Sequence, residues 1–591
     1  MKKSSFFHSF YLLGKGIRIL FSTSYLLSFA ILFLNLFGGL VAPLNALVYQ
    51  GLLDWIIKML NSRQWTPNGM VYLISLSLLG LTSYLIDRLA DFIRHVFNDK
   101  LDISITEKVL QKTIHLPMET FDNARIYNHI NAAATQTSSS CLSLLESISE
   151  IIYYAVQVIS FFCIILRFSW PIALINFISM IPIIHILIKI NKHWYEVYFT
   201  RVEKNRFIQY LKDMMVKNSY VKEIKLYNVG EKIISIITDN IASFLSEDTR
   251  ARKKFLFSQT VIQALDYALT LIVKLWLIIQ AIKQNCTIGT IVLYLNSLDE
   301  LKTAMHQFVR QFSALQNSLQ YLESLDELEK QKTENLYGQV NFESNFRKIE
   351  FRNVSFKYPG CEQYALKDVS LTFEKGKTYF IVGFNGSGKT TLIKLLLRLY
   401  PPIKGEILVD DVDINKIDLR QYYSNISAIF QDFIKYPFNV YENIAVKSGD
   451  KDVHRFNQVL KAVGMRDVVD GLPNKENTLL MRDWSGGMDL SQGQWQKLAI
   501  ARCVYGNSVI SILDEPFSSI DAEAESQIIS NIRKESKQNI TIFITHRFSS
   551  IMRDDQIIVL KDGSILEKGT HEELMANKKI YFKLHSSQKL D

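Results

Sequence analysis

The chain has 591 residues and a mass of 68.3 kDa, which excludes a single compact domain and indicates two or three. Its 67 lysines and arginines exceed its 58 aspartates and glutamates by 9, far below the positive charge of a dedicated nucleic-acid binder. Apolar residues make up 48% and the mean hydropathy is +0.07, which excludes a largely disordered chain and indicates membrane segments diluted by a soluble part.

The N-terminal region, Met1–Arg18, begins with positive charge and leads into an apolar stretch. That stretch is longer than the apolar region of a signal peptide and carries no small-residue cleavage site, so we expect it to stay attached as a first membrane span. The cysteines form no C-x-x-C pair and no even-numbered framework, so we predict buried thiols rather than disulfides or metal ligands. They are Cys141, Cys163, Cys286, Cys361 and Cys503.

Six stretches in the first half are long and apolar enough to cross about 30 Å of hydrocarbon as helices of roughly 20 residues. A buried core helix of a soluble protein could explain one such stretch, but several in one half of the chain favour membrane spans. The sixth is interrupted by Asp299, Glu300 and Lys302 and is the weakest. The six run from Leu20 to Tyr49, Met70 to Val96, Leu145 to Leu166, Trp170 to Ile190, Ser258 to Ile282, and Ile288 to Val309.

Basic residues predict the orientation of these spans. Segment 192–256 carries thirteen lysines and arginines, whereas the three opposite connections carry only Lys58, Arg63, Arg167 and Lys283. The long connections and the N-terminus are therefore predicted to be cytoplasmic. Their length and pattern indicate helical extensions of the spans that turn at Phe121–Ala132 and at Val221–Glu231, and each turn could dock on a soluble domain.

The composition changes near residue 340, where a polar stretch rich in Glu and Lys gives way to short β-type runs alternating with helices. This pattern predicts three regions: a six-span transmembrane domain over 1–325, a linker over 326–345, and an α/β nucleotide-binding domain over 346–591.

A phosphate-binding motif follows the predicted strand Tyr379–Val382 and opens the helical run Leu392–Leu399. Its glycines allow backbone N–H groups to face phosphates at a helix N-terminus, Lys389 reaches the β- and γ-phosphates, and the Thr390 hydroxyl can bind Mg²⁺. The alternative is a tight glycine turn without a ligand. The candidate phosphate-binding residues are Gly383, Asn385, Gly386, Ser387, Gly388, Lys389, Thr390 and Thr391.

Two carboxylates, Asp514 and Glu515, end the apolar run that begins at Val509. An aspartate in this position can hold Mg²⁺ and the adjacent glutamate can polarise a water molecule. A strand end with two solvated acids is the alternative, but the phosphate loop upstream favours the functional interpretation.

With these motifs the second half resembles the ATP-binding cassette family, because further elements appear in that family's order. The six-span layout with long cytoplasmic extensions resembles the exporter class, so the resemblance covers the whole chain. The further elements are Gln431 after the strand Ile426–Phe430, Leu490-Ser-Gln-Gly-Gln494 followed by a run to Arg502, Ser519-Ile-Asp521, and His546 after Thr541–Thr545.

The resemblance implies a fold and a set of roles. The fold is an all-α six-helix transmembrane domain, the type I exporter or type IV ABC fold, fused to an α/β P-loop nucleotide-binding domain. Two cassettes face head to tail, so that Ser491 and Gly493 of one close over the γ-phosphate held by Lys389 of the other, and a second copy of the chain is the implied partner.

The same resemblance implies ATP and Mg²⁺ as cofactors. The implied metal ligands are Thr390, Gln431 and Asp514. Glu515 orients the attacking water and His546 contacts the γ-phosphate, which makes these two the implied catalytic residues. The remaining implied nucleotide contacts are Gln494, Asp521 and Tyr358, whose ring stacks on adenine; a strand-edge aromatic is the alternative for Tyr358.

The sequence departs from the family pattern in two places. The family's signature is Leu-Ser-Gly-Gly-Gln, and here its third position is Gln492, which adds a side chain near the closing interface. Ser491 and Gly493 remain, so we expect closure to work. The preceding stretch, Met481–Met488, also differs from that of multidrug exporters, so details of its coupling to the membrane helices are not transferred.

Polar residues inside predicted spans are candidates for a substrate site because burying them in lipid is expensive. Asp266 and Lys274 share one face of the fifth span, and Asp87 and Arg88 lie late in the second. They could line a cavity for a charged substrate; the alternatives are an interhelical ion pair or a position outside the hydrocarbon. For Asn35, Pro43 and Asn45 in the first span, packing or a kink is the preferred interpretation.

We therefore predict a homodimeric, ATP-driven exporter in the bacterial plasma membrane, with peptide or hydrophobic substrates and no nucleic-acid partner. The run Gly-Gln-Trp-Gln-Lys after Ser491, together with the lack of an N-terminal cysteine-protease domain, resembles exporters of lantibiotics, which are modified antimicrobial peptides. Lipid and multidrug exporters share nearly all these features and remain alternatives. An ATP-gated pore or regulator is less favoured, because Glu515 and His546 are both present.

Overall fold

The computed structural model describes residues 6–63, 65–179, 181–447, 452–535, 538–548 and 551–588. The chain divides into two compact units. The first comprises Met1–Ile114 and Arg125–Gln331, and the second comprises His115–Ala124 and Lys332–Asp591. The short segment between residues 114 and 125 thus leaves the first unit and groups with the second.

The described part of the first unit consists of helices and the short connections between them. The apolar composition of residues 25–62 and of the later spans allows long helices in which every backbone group is satisfied within the segment. The helices are α1 (Phe6–Thr23), α2 (Tyr25–Ser62), α3 (Asn68–Ile114), α5 (Ala124–Phe168), α6 (Trp170–Ser179), α7 (Ile181–Val216), α8 (Asn218–Leu226), α9 (Gly230–Lys283) and α10 (Ile288–Lys330), and α4 (Met118–Asp122) belongs to the second unit.

Five segments of the described helices are long and apolar enough to cross a membrane. The first of them begins at Tyr25, because the chain becomes extended at Ser24 (φ −162°), so the predicted start at Leu20 falls in the preceding helix. The predicted sixth span lies in α10, which is not among the five and stays a prediction. The five segments are Tyr25–Ser62, Asn68–Ile114, Ser140–Phe168, Trp170–Trp194 and Gly230–Lys283.

The structure moves the first predicted turn towards the N-terminus. Helix α3 ends at Ile114, the short helix α4 occupies the turn, and α5 begins at Ala124, so most of the predicted turn Phe121–Ala132 is helical. Pro117 is the N-cap residue of α4, where the missing backbone N–H of proline costs no helical hydrogen bond. Its place in the sequence explains why α4 begins at Met118. The second turn holds α8 and the residues up to Val229, and it overlaps the predicted Val221–Glu231.

Ion pairs between α9 and α10 account for the charged residues of the predicted fifth span. Lys302 Nζ lies 2.7 Å from Asp266 Oδ1 and also donates to the Thr270 hydroxyl, and all three side chains are buried. Lys274 Nζ lies 2.7 Å from Asp299 Oδ2, but this second pair is largely exposed. Asp266 and Lys274 therefore form interhelical ion pairs, the alternative to the predicted cavity lining.

The second unit is α/β. Its strands are β1 (Lys348–Phe356), β2 (Leu366–Glu374), β3 (Thr378–Gly383), β4 (Lys404–Val409), β5 (Val412–Asp413), β6 (Ile426–Ile429), β7 (Ile510–Asp514), β8 (Ile540–Ile544), β9 (Gln556–Lys561) and β10 (Ser564–Gly569). Its helices after α10 are α11 (Lys389–Leu396), α12 (Leu419–Ser424), α13 (Val440–Ile444), α14 (Val453–Ala462), α15 (Arg466–Asp470), α16 (Gln492–Tyr505), α17 (Ala522–Glu535), α18 (His571–Asn577) and α19 (Ile580–Gln588).

Two sheets organise this unit. The larger has the strand order β10-β9-β3-β8-β7-β6, in which every pair from β9 to β6 is parallel. The smaller, with the order β2-β1-β4-β5, is antiparallel. Strands β7 and β8 are buried over their whole length, as expected for parallel strands covered on both faces. The carboxyl ends of β3, β6, β7 and β8 therefore meet at one edge of the larger sheet.

All five cysteines are free thiols, but the prediction that all are buried is wrong. Cys141 and Cys503 are buried, Cys286 is half-buried, and Cys163 and Cys361 are exposed. Cys163 is an exposed residue of the apolar helix α5, and Cys361 lies in the loop between β1 and β2. The spacing of the cysteines correctly excluded disulfides, but it could not predict which thiols are buried and which are exposed.

The two ion pairs between α9 and α10 predict different stabilities. Replacing Asp266 by Ala leaves the Lys302 ammonium buried without its partner, which we expect to cost about 3 kcal/mol and to lower the midpoint of thermal unfolding in detergent. The matched change Lys274→Ala breaks the exposed pair and should cost less than about 1 kcal/mol. Equal melting shifts for the two variants would contradict the assigned difference in burial.

Candidate nucleotide site

The phosphate loop joins β3 to α11, which begins at Lys389. Gly388 precedes that helix with φ 101°, and a Cβ at this position would lie 2.7 Å from the Ala365 carbonyl oxygen. Only glycine fits there, so the motif's spacing is explained by the backbone conformation. The arrangement leaves the first N–H groups of α11 available to an anion, as the motif predicts.

The Lys389 side chain lies back along this loop. Its Nζ donates to the carbonyl oxygens of Gly383 at 2.9 Å and Phe384 at 3.0 Å, and the residue is buried. Burial lowers the pKa of Lys389, while the nearby carboxylates of Asp514 and Glu515 act in the opposite direction. The loop thus holds a desolvated ammonium at the point where the motif requires a positive charge.

Asp514, the last residue of β7, is buried and accepts a hydrogen bond of 3.0 Å from the Thr390 hydroxyl. Burial raises the pKa of Asp514 to about 6, and the neighbouring Glu515 charge adds to this, although the hydrogen bond from Thr390 opposes it. A carboxyl group in this environment is stabilised by a nearby cation. The predicted pair of Thr390 and Asp514 is therefore brought together by the fold.

Glu515 is the centre of a second cluster. Its backbone has φ 48°, which turns the chain sharply after β7. One carboxylate oxygen accepts from Gln431 Nε2 at 3.0 Å, and the other lies 2.9 Å from His546 Nε2. The positive φ marks a strained position of the type found at functional sites. The predicted residues Gln431 and His546, from two other segments of the chain, thus both contact the Glu515 carboxylate.

The signature residues form the start of α16. Ser491 is the N-cap, and it exchanges hydrogen bonds with Gln494 in a capping box: the Gln494 N–H donates to Ser491 Oγ at 3.3 Å, and the Ser491 N–H donates to Gln494 Oε1 at 2.9 Å. Asp521 caps α17 in a similar way by accepting from the Ala524 N–H at 2.8 Å. In this structure Gln494 and Asp521 act as helix caps; their predicted nucleotide contacts stay predictions.

Tyr358 lies beside the phosphate-loop helix. Its hydroxyl is 3.2 Å from Thr391 Oγ1, its ring packs edge-on against Tyr400, and the Lys394 ammonium lies 5.4 Å from its centroid. The ring is therefore fixed next to the loop that the motif identifies, although adenine stacking itself stays a prediction. Asn385 and Gly386, at the exposed tip of the loop, and the buried Ser387 complete the predicted set.

Gln496 contacts the loop after Glu515 and was not among the residues predicted from the motifs. From α16 its amide donates to Ser518 Oγ at 2.9 Å and to the Glu515 carbonyl oxygen at 3.4 Å, and it accepts from the Ser519 N–H at 2.9 Å. It thereby fastens the signature helix to the loop after Glu515. The residue follows Trp495 in the run that carried the resemblance, but only the fold reveals its partners.

Comparison with known proteins agrees with this geometry. Residues 366–518 match the family described as ABC transporter, and residues 28–299 match the family described as ABC transporter transmembrane region. The chain is an ABC transporter. The matches cover both units, so the exporter has its own membrane-spanning region and its own ATP-hydrolysing domain.

Relatives of the exporter extend over nearly its whole length. The subtilin transport ATP-binding protein SpaT of Bacillus subtilis is 28% identical over 88% of this chain and 86% of its own. The nisin transport ATP-binding protein NisT of Lactococcus lactis is 25% identical over 99% and 98%. An ATP-dependent lipid A-core flippase of Haemophilus ducreyi is 26% identical over 93% and 95%.

The overall architecture matches a solved structure described as a bacterial Atm1-family ABC exporter with ATP bound. The TM-score is 0.79, with 18% identity over 95% of this chain and 97% of that one. This likeness confirms the predicted fold, a helical transmembrane domain joined to an α/β nucleotide-binding domain.

The separate positions of Lys389 and Glu515 predict that two substitutions divide binding from hydrolysis. Lys389→Met removes the ammonium that the motif assigns to the phosphates and should abolish ATP binding, measured with a fluorescent ATP analogue. Glu515→Gln keeps the shape and the contacts with Gln431 and His546, and should bind ATP normally while hydrolysis falls at least about a hundredfold. Loss of binding in both variants would contradict the separation.

Proposed function

We propose that the exporter works as a homodimer in the plasma membrane, with its ATP-binding domain in the cytoplasm, and that it exports a modified, cationic peptide. The observation that carries the peptide assignment is the full-length similarity to SpaT and NisT, whose names link them to the transport of subtilin and nisin. A lipid is the second candidate, because a lipid A-core flippase aligns over almost the same length.

We propose that ATP binds along the phosphate loop with Mg²⁺. The Thr390 hydroxyl and the buried Asp514 carboxylate lie 3.0 Å apart and offer the hard oxygen ligands that Mg²⁺ prefers. The amide oxygen of Gln431, whose Nε2 donates to Glu515, is proposed as a third ligand. The raised pKa of Asp514 supports this, since a cation would stabilise the buried carboxylate in its charged form. When bound, Mg²⁺ supplies charge neutralisation for the phosphates.

Hydrolysis is assigned to Glu515 as the group that orients the attacking water. Its carboxylate is held on both oxygens, by Gln431 and by His546, so its position relative to the loop is set by three separate chain segments. His546, on the other side of that carboxylate, is assigned the contact with the γ-phosphate. The backbone turn at Glu515 exposes the carboxylate beyond the end of the buried strand β7.

The same proposal makes the site incomplete in a single chain. The helix that begins after Ser491 presents N–H groups suited to a phosphate. Two copies facing head to tail would place each signature helix over the other copy's nucleotide. ATP-driven closure of the two domains would then switch the spans between inward-facing and outward-facing states.

A cavity in the spanning half supports a cationic substrate. It has a volume of about 300 Å³ and lies between α2, α3 and α5, where three carboxylates, Asp87, Asp91 and Glu150, outnumber its single positive charge, Arg94. The Arg94 guanidinium lies 3.1 Å from Asp91, so the other two carboxylates keep a net negative charge. The predicted candidate Arg88 is not among the residues that line this cavity.

The decisive experiment is ATP hydrolysis by the full chain in lipid vesicles, with cationic modified peptides, neutral peptides of equal length and lipid A-type lipids added separately. The Glu515→Gln protein is the background control. The peptide proposal predicts that only the cationic peptides change the rate. A response confined to lipids would replace it with the lipid alternative, and no hydrolysis above the control would overturn the homodimeric pump.

The cavity predicts a substitution that affects substrate response alone. Asp87→Asn removes one negative charge, so the peptide concentration giving half-maximal stimulation should rise about fivefold to tenfold, while basal hydrolysis stays unchanged. Asp299→Asn, which alters a carboxylate outside the cavity, is the matched control. A rise of equal size in the control would show that general charge, and not the cavity, attracts the peptide.

The segment that groups with the second unit predicts a coupling contact. Tyr400 donates a hydrogen bond of 2.8 Å to Asp122 in α4, and burial together with this carboxylate raises the pKa of Tyr400. Tyr400→Phe removes this bond and should reduce peptide stimulation of hydrolysis to half or less without changing ATP binding. Tyr364→Phe, at an exposed tyrosine of the same unit, should leave the stimulation unaltered.

A further inference from the structure

The two central positions of the signature differ in what they can carry. A Cβ at Gly493 would lie 2.7 Å from the Ser519 carbonyl oxygen, so glycine is required there by close backbone approach. Residue 492 is exposed at the first position of α16 and has room for a side chain. The Gln492 side chain, absent from the family pattern, is therefore accommodated at the one central position that tolerates it.

Gln492 is held by Lys435. The lysine Nζ donates to Gln492 Oε1 at 3.0 Å and lies 5.6 Å from the ring centroid of Trp495, one turn along the same helix. Trp495 is itself fixed: it is 1% exposed, and its indole N–H donates to Asp489 at 2.9 Å. Lys435 thus bridges a rigid aromatic ring and the glutamine amide.

The residues on both sides of Lys435 contact the same helix. Arg502, two turns beyond Trp495, donates to the Ile434 carbonyl oxygen at 3.3 Å, and its guanidinium lies 4.6 Å from the Tyr436 ring centroid. The Arg502 Nε–H also donates to the Asn443 carbonyl oxygen at 2.9 Å. The lysine is therefore presented to Gln492 from a segment that is anchored on α16.

This contact determines which way the Gln492 amide faces. An ammonium only donates hydrogen bonds, so the amide oxygen must point to Lys435 and the Nε2 hydrogens must point away from it. Within the described residues, no hydrogen bond from Gln492 Nε2 occurs. The two N–H bonds lie at the start of α16, where the backbone N–H groups and the helix dipole already favour an anion.

We propose that Gln492 is a further nucleotide-binding residue, whose Nε2 donates to the γ-phosphate of ATP held by the phosphate loop of a second copy of the chain. Lys435 is its positioning residue, because it fixes the amide with the donors outward. The inference rests on the head-to-tail homodimer proposed above. It assigns a role to the position at which this signature departs from the family, and it makes Gln492 and Lys435 a single functional pair.

The first test measures kcat and KM for ATP with the full chain in lipid vesicles. Gln492→Gly restores the family's residue and should raise KM about threefold to tenfold with kcat changed less than twofold, as expected for loss of uniform binding. Gln492→Glu keeps the length and the contact with Lys435 but replaces the donors by a negative charge, and should raise KM by more than tenfold. Wild-type KM values in both variants would overturn the proposal.

The positioning role has its own test. Lys435→Met should raise KM about threefold in the wild-type background and have no effect in the Gln492→Gly background, whereas Lys435→Arg should restore the wild-type value. An equal effect of Lys435→Met in both backgrounds would overturn the positioning role, since the lysine would then act independently of the amide. Thermal unfolding of each variant controls for misfolding, which shifts the melting midpoint and not KM alone.

Mixed dimers test whether the contact crosses between copies. Lys389→Met inactivates one phosphate loop, so each mixed dimer keeps one working site. With Lys389→Met and Gln492→Gly on the same chain, paired with a wild-type chain, the working site uses the altered signature and its KM should rise. With the two changes on different chains, it uses a wild-type signature and its KM should be normal.

These dimers distinguish a failure of the Gln492 contact from a failure of the head-to-tail homodimer. Equal KM values that both match wild type would overturn the assignment of Gln492 while leaving the homodimer intact. A raised KM only when the changes are on different chains would place the amide in the same copy as its nucleotide and would overturn the head-to-tail arrangement as well.

Discussion

The burial of opposite charges at the ends of the parallel strands is the constraint on which the nucleotide site depends. Asp514 ends the fully buried strand β7 and Lys389 begins α11 after β3, and both side chains are almost completely removed from water. Burying either charge alone is costly, and the hydrogen bonds from Thr390 to Asp514 and from Lys389 to loop carbonyl oxygens offset only part of that cost. A ligand that brings both phosphate oxygens and a cation would satisfy the two groups together, which ties the stability of this edge of the sheet to its occupancy.

Local motifs predict the candidate residues of this site because much of its geometry is local. The phosphate loop needs Gly388 before the helix and Lys389 at its start, and a strand ending in Asp514 and Glu515 needs only its own apolar run; neither depends on distant residues. The contacts around Glu515 required the fold, since Gln431, Gln496 and His546 come from segments far apart in sequence. The sequence located two of these three through the family pattern and passed over Gln496, whose partners are backbone groups and a serine hydroxyl that leave no signal of their own.

Ion pairs between helices also explain why the roles of the charged residues in the membrane half could not be predicted from the sequence. The face shared by Asp266 and Lys274 suggested that they act together, but each pairs with a residue of α10 instead. Two long helices in contact offer many partners that the helical wheel of one helix cannot display. The charges of α10 that weakened the predicted sixth span, Asp299 and Lys302, are those partners. The charged residues that interrupt the apolar run of α10 are thus the ion-pair partners of the charged residues of α9.

Gln492 and Gly493 in the signature are subject to different constraints: the backbone requires the glycine, whereas the surroundings of position 492 decide which side chain is useful there. Gly493 is required by the approach of the Ser519 backbone, so it would be retained whatever the protein transports. Position 492 is free of that constraint, and its occupant is decided by what surrounds it: an anchored lysine, a buried tryptophan and the start of a helix. Because residue 492 is exposed, a polar side chain can be added there without burying an unpaired donor. Lys435 supplies a partner for the amide oxygen within the chain, so the amide donors face outward, where we propose that they meet the nucleotide held by a second copy.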